Sequence, residues 1–349
     1  MKLKAKADKE RLKYFNDWVI DFFKREYYRE SNQLEKYTVQ EKFGPAMRPE
    51  VSFWNPNRSK HAEVYWLENY VFNQNTSMRN KILNAIAVKF VGMPTLTLVA
   101  TDSLDYNNII DFDKYSTDDN YRIFINGNLD RNHRKLAVWG RTQLQTSLQT
   151  AARNFVRSQD GEHTPFALSH MIRWIEELDK LGLSKTVQDP KSTLSTICNH
   201  LGTHRGIGPY FSYHPPCNFS RCKELPNIDE DEDFCLVGGG AKSGMQWVFP
   251  DVKLSNNKVM EEIIVEVKKN QYDFFEFDNE YDRKCYAENL ERGGFLTTFG
   301  TEITFCQFYC FLSIKDRPDL QEKRILPLTF DSFLDITKKL SSKSKSLVF

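Results

Sequence analysis

Hydrophobic positions recur at helical spacing through most of this chain. In "ERLKYFNDWVIDFFKREYYRE" (residues 10–30), Leu12, Phe15, Val19, Phe22 and Phe23 share one side and the charges take the other, which predicts an amphipathic helix. "SMRNKILNAIAVKFVGMP" repeats the pattern. Ile82, Ala85, Ile86, Lys89 and Phe90 form a stripe, Ser77 stands at the cap position, and Gly92 with Pro94 marks the stop. A long helical pattern follows from about Arg134 to Ser158 through Leu136, Leu144, Leu148, Ala151 and Phe155. "TPFALSHMIRWIEELDKLG" turns Met171, Ile172, Ile175 and Leu178 inward and stops at Gly182, and a further helix is predicted over 191–201.

Elsewhere the period weakens. Residues 31–65, with Gly44-Pro45, Pro49 and "NPN", read as loop, as do the Asp- and Asn-rich residues 101–120. "YRIFING" (121–127) reads as a short strand closed by an Asn-Gly turn. "EEIIVEVKK" and "EITFCQFYCFLSI" fit strand or helix, and "TKKLSSKSKSLVF" reads as a frayed tail. The expected class is mainly α, with irregular loops and a small α+β C-terminal part. Three regions are expected: an N-terminal helix and loop extension over 1–65, a helical domain over 66–250, and a C-terminal segment over 251–349 packing back on it.

Composition changes the picture little. The chain has 349 residues, 40% of them hydrophobic and 13% aromatic, enough for a sizeable core. A net charge of +1 does not indicate whole-molecule attraction to nucleic acid, so local patches must supply any such contact. Seven cysteines without regular spacing suit a reducing compartment. "MKLKAKADKERLK" lacks the apolar core of a secretory signal, and no apolar run reaches the roughly 18 residues a membrane span needs, so a cytoplasmic location is expected.

Four features carry candidate chemistry. In "LGTHRGIGPYFSY" one helix ends, Gly206-Ile207-Gly208 turns, and Pro209 opens another. Such a hairpin either grips a phosphate through backbone N–H groups or simply connects two packed helices. Between Asp130 and Asp160 every charge is basic (Arg131, Arg134, Lys135, Arg141, Arg153, Arg157), and Arg153 and Arg157 share a helix face. That face suits a polyanion or is a solvated surface. In "IDEDEDFCLVGGGAKSG" five acids run into a triglycine. A carboxylate there suits general-base work, and the glycines with Lys242 suit phosphate, unless the stretch is an acidic surface loop. It is not a P-loop, for Gly-x-x-x-x-Gly-Lys-Ser/Thr occurs nowhere. His200, His204, His214, Cys217, Cys222 and Cys235 cluster in sequence without zinc-knuckle spacing, so no metal is assigned.

Taken in order, these motifs resemble the helix-hairpin-helix, DNA-glycosylase-like proteins of thymine hypermodification in bacteriophages. That family includes the α-glutamyl/putrescinyl thymine pyrophosphorylases, or amino acid:DNA transferases, and the helical domain of the 5-hydroxymethyluracil DNA kinases. The resemblance rests on Ile82 to Leu96 with Asn84, Lys89 and Pro94 in register. It continues through Gly206, Gly208, Pro209, Tyr210 and Tyr213, then through Asp231 or Asp233 with Gly238, Gly240, Ala241 and Gly244. Glu302, Cys306 and Phe308 complete it.

The resemblance implies a helix-hairpin-helix, DNA-glycosylase-like bundle that acts on an extruded pyrimidine in double-stranded DNA. It implies replacement of pyrophosphate on 5-(pyrophosphoryloxymethyl)uracil by an amine from an amino acid or polyamine, with no other cofactor. Other hypermodification enzymes are expected partners. The alternatives are a monofunctional glycosylase on a modified pyrimidine and a DNA-binding relative without catalysis. Asp233, with Asp231 in reserve, is the expected base, and Glu302 orients the site. Arg79, Lys89, Lys242, Gly238 and Gly240 are expected at pyrophosphate. Gly206, Ile207, Gly208 and Tyr210, with Arg153 and Arg157, are expected on DNA.

Overall fold

The structure, a computed structural model, describes residues 5–51, 53–91, 100–103, 105, 107–139, 146–161, 167–291 and 293–322. Its helices are α1 (Lys9–Glu30), α2 (Ala62–Trp66), α3 (Met78–Val91), α4 (Phe112–Thr117), α5 (Asp119–Trp139), α6 (Thr146–Asp160), α7 (Leu168–Lys180) and α8 (Leu183–Gln188). They continue as α9 (Leu194–Gly202), α10 (Pro209–Cys217), α11 (Gly239–Val248), α12 (Asn257–Lys269), α13 (Gln271–Phe274), α14 (Glu280–Glu288), α15 (Thr298–Ile314) and α16 (Pro318–Glu322). No strand occurs among the described residues.

The class is therefore mainly helical, and the described residues of the C-terminal part, up to 322, hold helices and no strand. "EEIIVEVKK" lies in α12 and "EITFCQFYCFLSI" in α15. "YRIFING" is helix too, inside α5. The long pattern from Arg134 to Ser158 is shared by α5 and α6, with residues 140–145 outside the described ones. The expected stop at Gly92 and Pro94, and the tail, also lie outside them. Residues 31–65 hold short 3-10 turns at Leu34–Lys36, Glu41–Met47 and Arg58–Lys60.

The chain divides at 61/62 and 230/231, where the sequence reading set 65/66 and 250/251. Described residues up to His61 and from Asp231 onward make one unit; Ala62–Glu230 make the other.

The first unit closes α1 on α15 through aromatic rings. Phe15 stacks on Phe305 with centroids 4.7 Å apart, Trp18 lies 5.3 Å from Phe308, and Trp247 of α11 lies 5.1 Å from the same ring. Asp8 caps α1 by accepting the N–H groups of Glu10 and Arg11. Helices α11 and α15 approach backbone to backbone. A β-carbon on Gly244 would stand 2.1 Å from the Phe305 carbonyl oxygen, and one on Gly240 2.7 Å from Cys306 Sγ, so glycine alone permits this approach.

In the second unit Phe90 of α3 packs on Trp174 of α7 and on Phe211 of α10 at 5.7 and 5.6 Å. Ser77 caps α3 as expected, accepting the Asn80 N–H at 3.1 Å. The segment before α4 is tied to α3 by amides. Asn84 donates to the Ile110 carbonyl and accepts the Ile110 N–H, and Asn80 accepts the Phe112 N–H at 2.6 Å. Both asparagines are buried, so each unmade bond would carry a desolvation cost.

Candidate functional site

Helix α9 starts at a Thr193 cap and ends at Gly202, and α10 starts at Pro209, which needs no N–H at its first position. The turn between them is built on Gly206, whose φ of 95° lies in the left-handed region that other residues avoid. Ile207 is buried and pins the turn to the core, whereas Arg205, Gly208 and Pro209 are exposed. The Ile207 N–H is bound to the His204 carbonyl at 3.1 Å. The N–H groups of Gly206 and Gly208 have no partner among the described residues. Tyr210 lies on the first turn of α10 with its ring 3.9 Å from that of His214. Pro215 and Pro216 occupy the last turn of α10, which then tightens into a 3-10 turn at Asn218–Arg221.

On α6, Arg153 and Arg157 are exposed and make no ion pair among the described residues. The same holds for Arg205, which the motif reading passed over because its attention fell on the glycines.

Two other expected cations are engaged elsewhere. Arg79 bonds Asp179 through Nε at 2.5 Å, Asp113 through Nη1 at 3.0 Å and Ser116 through Nη2 at 3.0 Å, so its guanidinium ties α3 to α4 and α7. Lys89 is buried and holds Glu63 at 3.0 Å, while Asn218 donates to the other Glu63 oxygen at 2.8 Å. A pyrophosphate contact by Lys89 would first have to break this buried pair, at a desolvation cost. Glu63, at the start of α2, was missed because its partner lies 26 residues away. Helix α2 runs on as a π-helical turn, Leu67–Val71, a geometry often found at functional sites.

The carboxylates belong to the first unit. Asp233 is exposed and pairs with Lys269 at 2.5 Å. Asp231 pairs with Lys268 at 3.0 Å and accepts the Thr298 N–H at the start of α15. Asp233 also lines a cleft of about 450 Å³ with Phe234, Lys258, Glu261, Glu262 and Glu266. Partial burial pushes the Glu261 carboxyl up, and the Lys242 charge opposes that rise.

Glu302 differs from both aspartates. It is 1% exposed, and its Oε1 accepts the Gly238 N–H at 3.0 Å, which joins the late motif to the start of the triglycine. Burial pushes its carboxyl up to about 7, and the Gly238 bond opposes this. A carboxyl poised there exchanges a proton near neutrality. The structure thus brings Glu302 and Gly238 together, places Gly240 against Cys306, and commits both aspartates to lysines.

The chain belongs to the family described as 5-hmdU DNA kinase, helical domain, whose model matches residues 124–311, more than half of the sequence. The match runs from α5 to α15 and takes in the hairpin, the acid–triglycine stretch and Glu302, whereas Asn84 and Lys89 precede it. Among curated proteins and among solved structures nothing matches the chain. No helix of the described residues is long and apolar enough to cross a membrane, and no group of three or more metal-ligating side chains gathers among them.

Proposed function

We propose that this protein modifies a thymine-derived base in double-stranded DNA as part of thymine hypermodification. The hairpin would hold a strand through the Gly206 and Gly208 N–H groups and Arg205, a contact that positions without reading sequence. The single observation that carries the reading is that open hairpin, its Gly206 and Gly208 donors without partners among the described residues, inside the segment matched to a DNA kinase's helical domain.

For the chemistry we favour exchange of pyrophosphate for an amine on 5-(pyrophosphoryloxymethyl)uracil. The amine nitrogen bonds the exocyclic methylene carbon, the carbon–oxygen bond breaks, pyrophosphate departs, and the nitrogen's proton passes to a carboxylate. Glu302, poised near neutrality, suits that proton better than Asp233 or Asp231, which are paired with lysines. Lys242 is the cation retained from the sequence reading for the leaving group.

The test is nucleoside mass analysis of duplex DNA carrying the pyrophosphorylated base, incubated with the protein and pooled amines. Pyrophosphate release with a new amine adduct, lost in Glu302→Gln, supports the reading. Abasic sites instead would assign a glycosylase. A second reading, a DNA-binding relative without catalysis, is favoured by the internal ion pairs of Arg79 and Lys89. It predicts salt-dependent binding with neither product.

A further inference from the structure

Helix α6 separates its described side chains by polarity. Ala152 and Val156 are buried, and the helix packs on α7. Arg153, Asn154, Arg157 and Ser158, spaced i, i+1, i+4 and i+5, are exposed along the other side. Neither arginine has an ion-pair partner among the described residues, and the sequence holds no acid between Asp130 and Asp160.

The acids that could neutralise this face are committed to other groups. Asp160, the last residue of α6, accepts Nη1 and Nη2 of Arg173 at 2.7 and 2.9 Å. On α7, Asp179 is bound to Arg79, Glu177 pairs with Lys180 at 3.9 Å, and Glu176 is buried. Asp130 of α5 accepts the N–H and the hydroxyl of Ser169. The face therefore keeps two full positive charges in water. No large apolar side chain is exposed between residues 151 and 160, so it lacks the apolar patch that a protein partner or a membrane surface would cover.

We propose that this face of α6 is a second contact with the phosphate backbone of duplex DNA, with Arg153 and Arg157 on neighbouring phosphates. The inference rests on the reading that the protein acts on duplex DNA. Four helical residues rise about 6 Å, which matches one to two phosphate steps at about 3.4 Å of duplex axis per nucleotide. Each guanidinium fork can donate two parallel bonds to a phosphate, and the Asn154 amide beside them adds a neutral donor. Such a contact places the duplex without reading its sequence, and it releases counterions in proportion to the phosphates neutralised.

The experiment is fluorescence anisotropy across a salt series with two labelled duplexes of about 20 base pairs, one containing 5-hydroxymethyluracil and one thymine. Arg153→Gln/Arg157→Gln should lower the salt slope by about 2 and weaken binding roughly tenfold or more at about 0.1 M salt, equally on both duplexes. Each single variant should show about half of the change in slope, which keeps the test open should the double variant fold poorly. Arg153→Lys/Arg157→Lys keeps the charges and should keep the slope. Arg48→Gln removes an exposed arginine of the first unit that makes no ion pair among the described residues, and should leave the slope unchanged. A native slope in the glutamine variants, an equal loss in Arg48→Gln, or a loss confined to one duplex overturns the proposal and leaves the DNA reading standing. A native protein that binds neither duplex, or binds only phosphatidylserine vesicles, removes that reading and the proposal with it.

Discussion

Glu302 reaches from the second turn of α15 to the backbone amide of Gly238, 64 residues earlier in sequence, and is buried where it does so. The bond orients one carboxylate oxygen, while burial keeps the group protonated to higher pH than an exposed glutamate.

A pH signature in stability follows. The folded carboxyl is raised from 4.5 to about 7, so its favourable contribution is fully present below about pH 4.5 and is lost as pH rises through 7. Between about pH 5 and pH 8 the native protein should lose roughly 2 to 3 kcal/mol more than Glu302→Gln. Urea unfolding of both proteins at the two pH values measures this. Parallel pH profiles would show that Glu302 does not titrate differently on folding.

The approach of α11 to α15 predicts a contrast between two glycines of one helix. Gly244→Ala drives a β-carbon into the Phe305 carbonyl and should cost about 1 to 3 kcal/mol or more. At Gly239, where nothing lies within 4 Å of the added carbon, alanine should be neutral or mildly stabilising. Thermal melts of the two variants decide, and equal shifts would contradict the packing described.

The Lys89–Glu63 pair predicts a stability effect in place of a binding one. Lys89→Ala strands a buried carboxylate and should cost about 3 to 5 kcal/mol. Lys89→Met with Glu63→Gln removes both charges, keeps an acceptor for Asn218, and should recover most of that loss. DNA affinity of the folded double variant should match the native protein's within about twofold. A large loss of affinity in a stable double variant would return Lys89 to the binding site.

The hairpin predicts the reverse. Gly206→Ala imposes a left-handed conformation on a residue with a β-carbon, at about 1 to 2 kcal/mol. DNA affinity should fall several-fold with little change in salt slope, because no charge is lost. Anisotropy titrations check it, and unchanged affinity would separate the hairpin from DNA.

The sequence carried the amphipathic helices well and failed where burial or exposure broke their period. In α5, Ile125 and Leu129 face inward, but Ile123 and Phe124 beside them are 69% and 47% exposed, so the run looked continuous and β-like. Gly127 inside the same helix imitated a turn. Helix α15 buries residues on nearly every side from Thr298 to Phe308, which leaves no polar face for a helical period to show. At the site, glycine spacing located the hairpin because its backbone geometry is local. The fate of Arg79 was illegible: its partners Asp113 and Asp179 lie 34 and 100 residues away.

The first unit is assembled from both ends of the described chain, with residues 62–230 between its halves. During synthesis α1 leaves the ribosome long before α15, so its aromatic face waits uncovered while the intervening segment can already pack its own helices. Pairing over so great a sequence separation is slow. Truncations ending near residue 230 should thus yield one ordered half and one sticky helix, a circumstance that invites chaperone attention early in the protein's life.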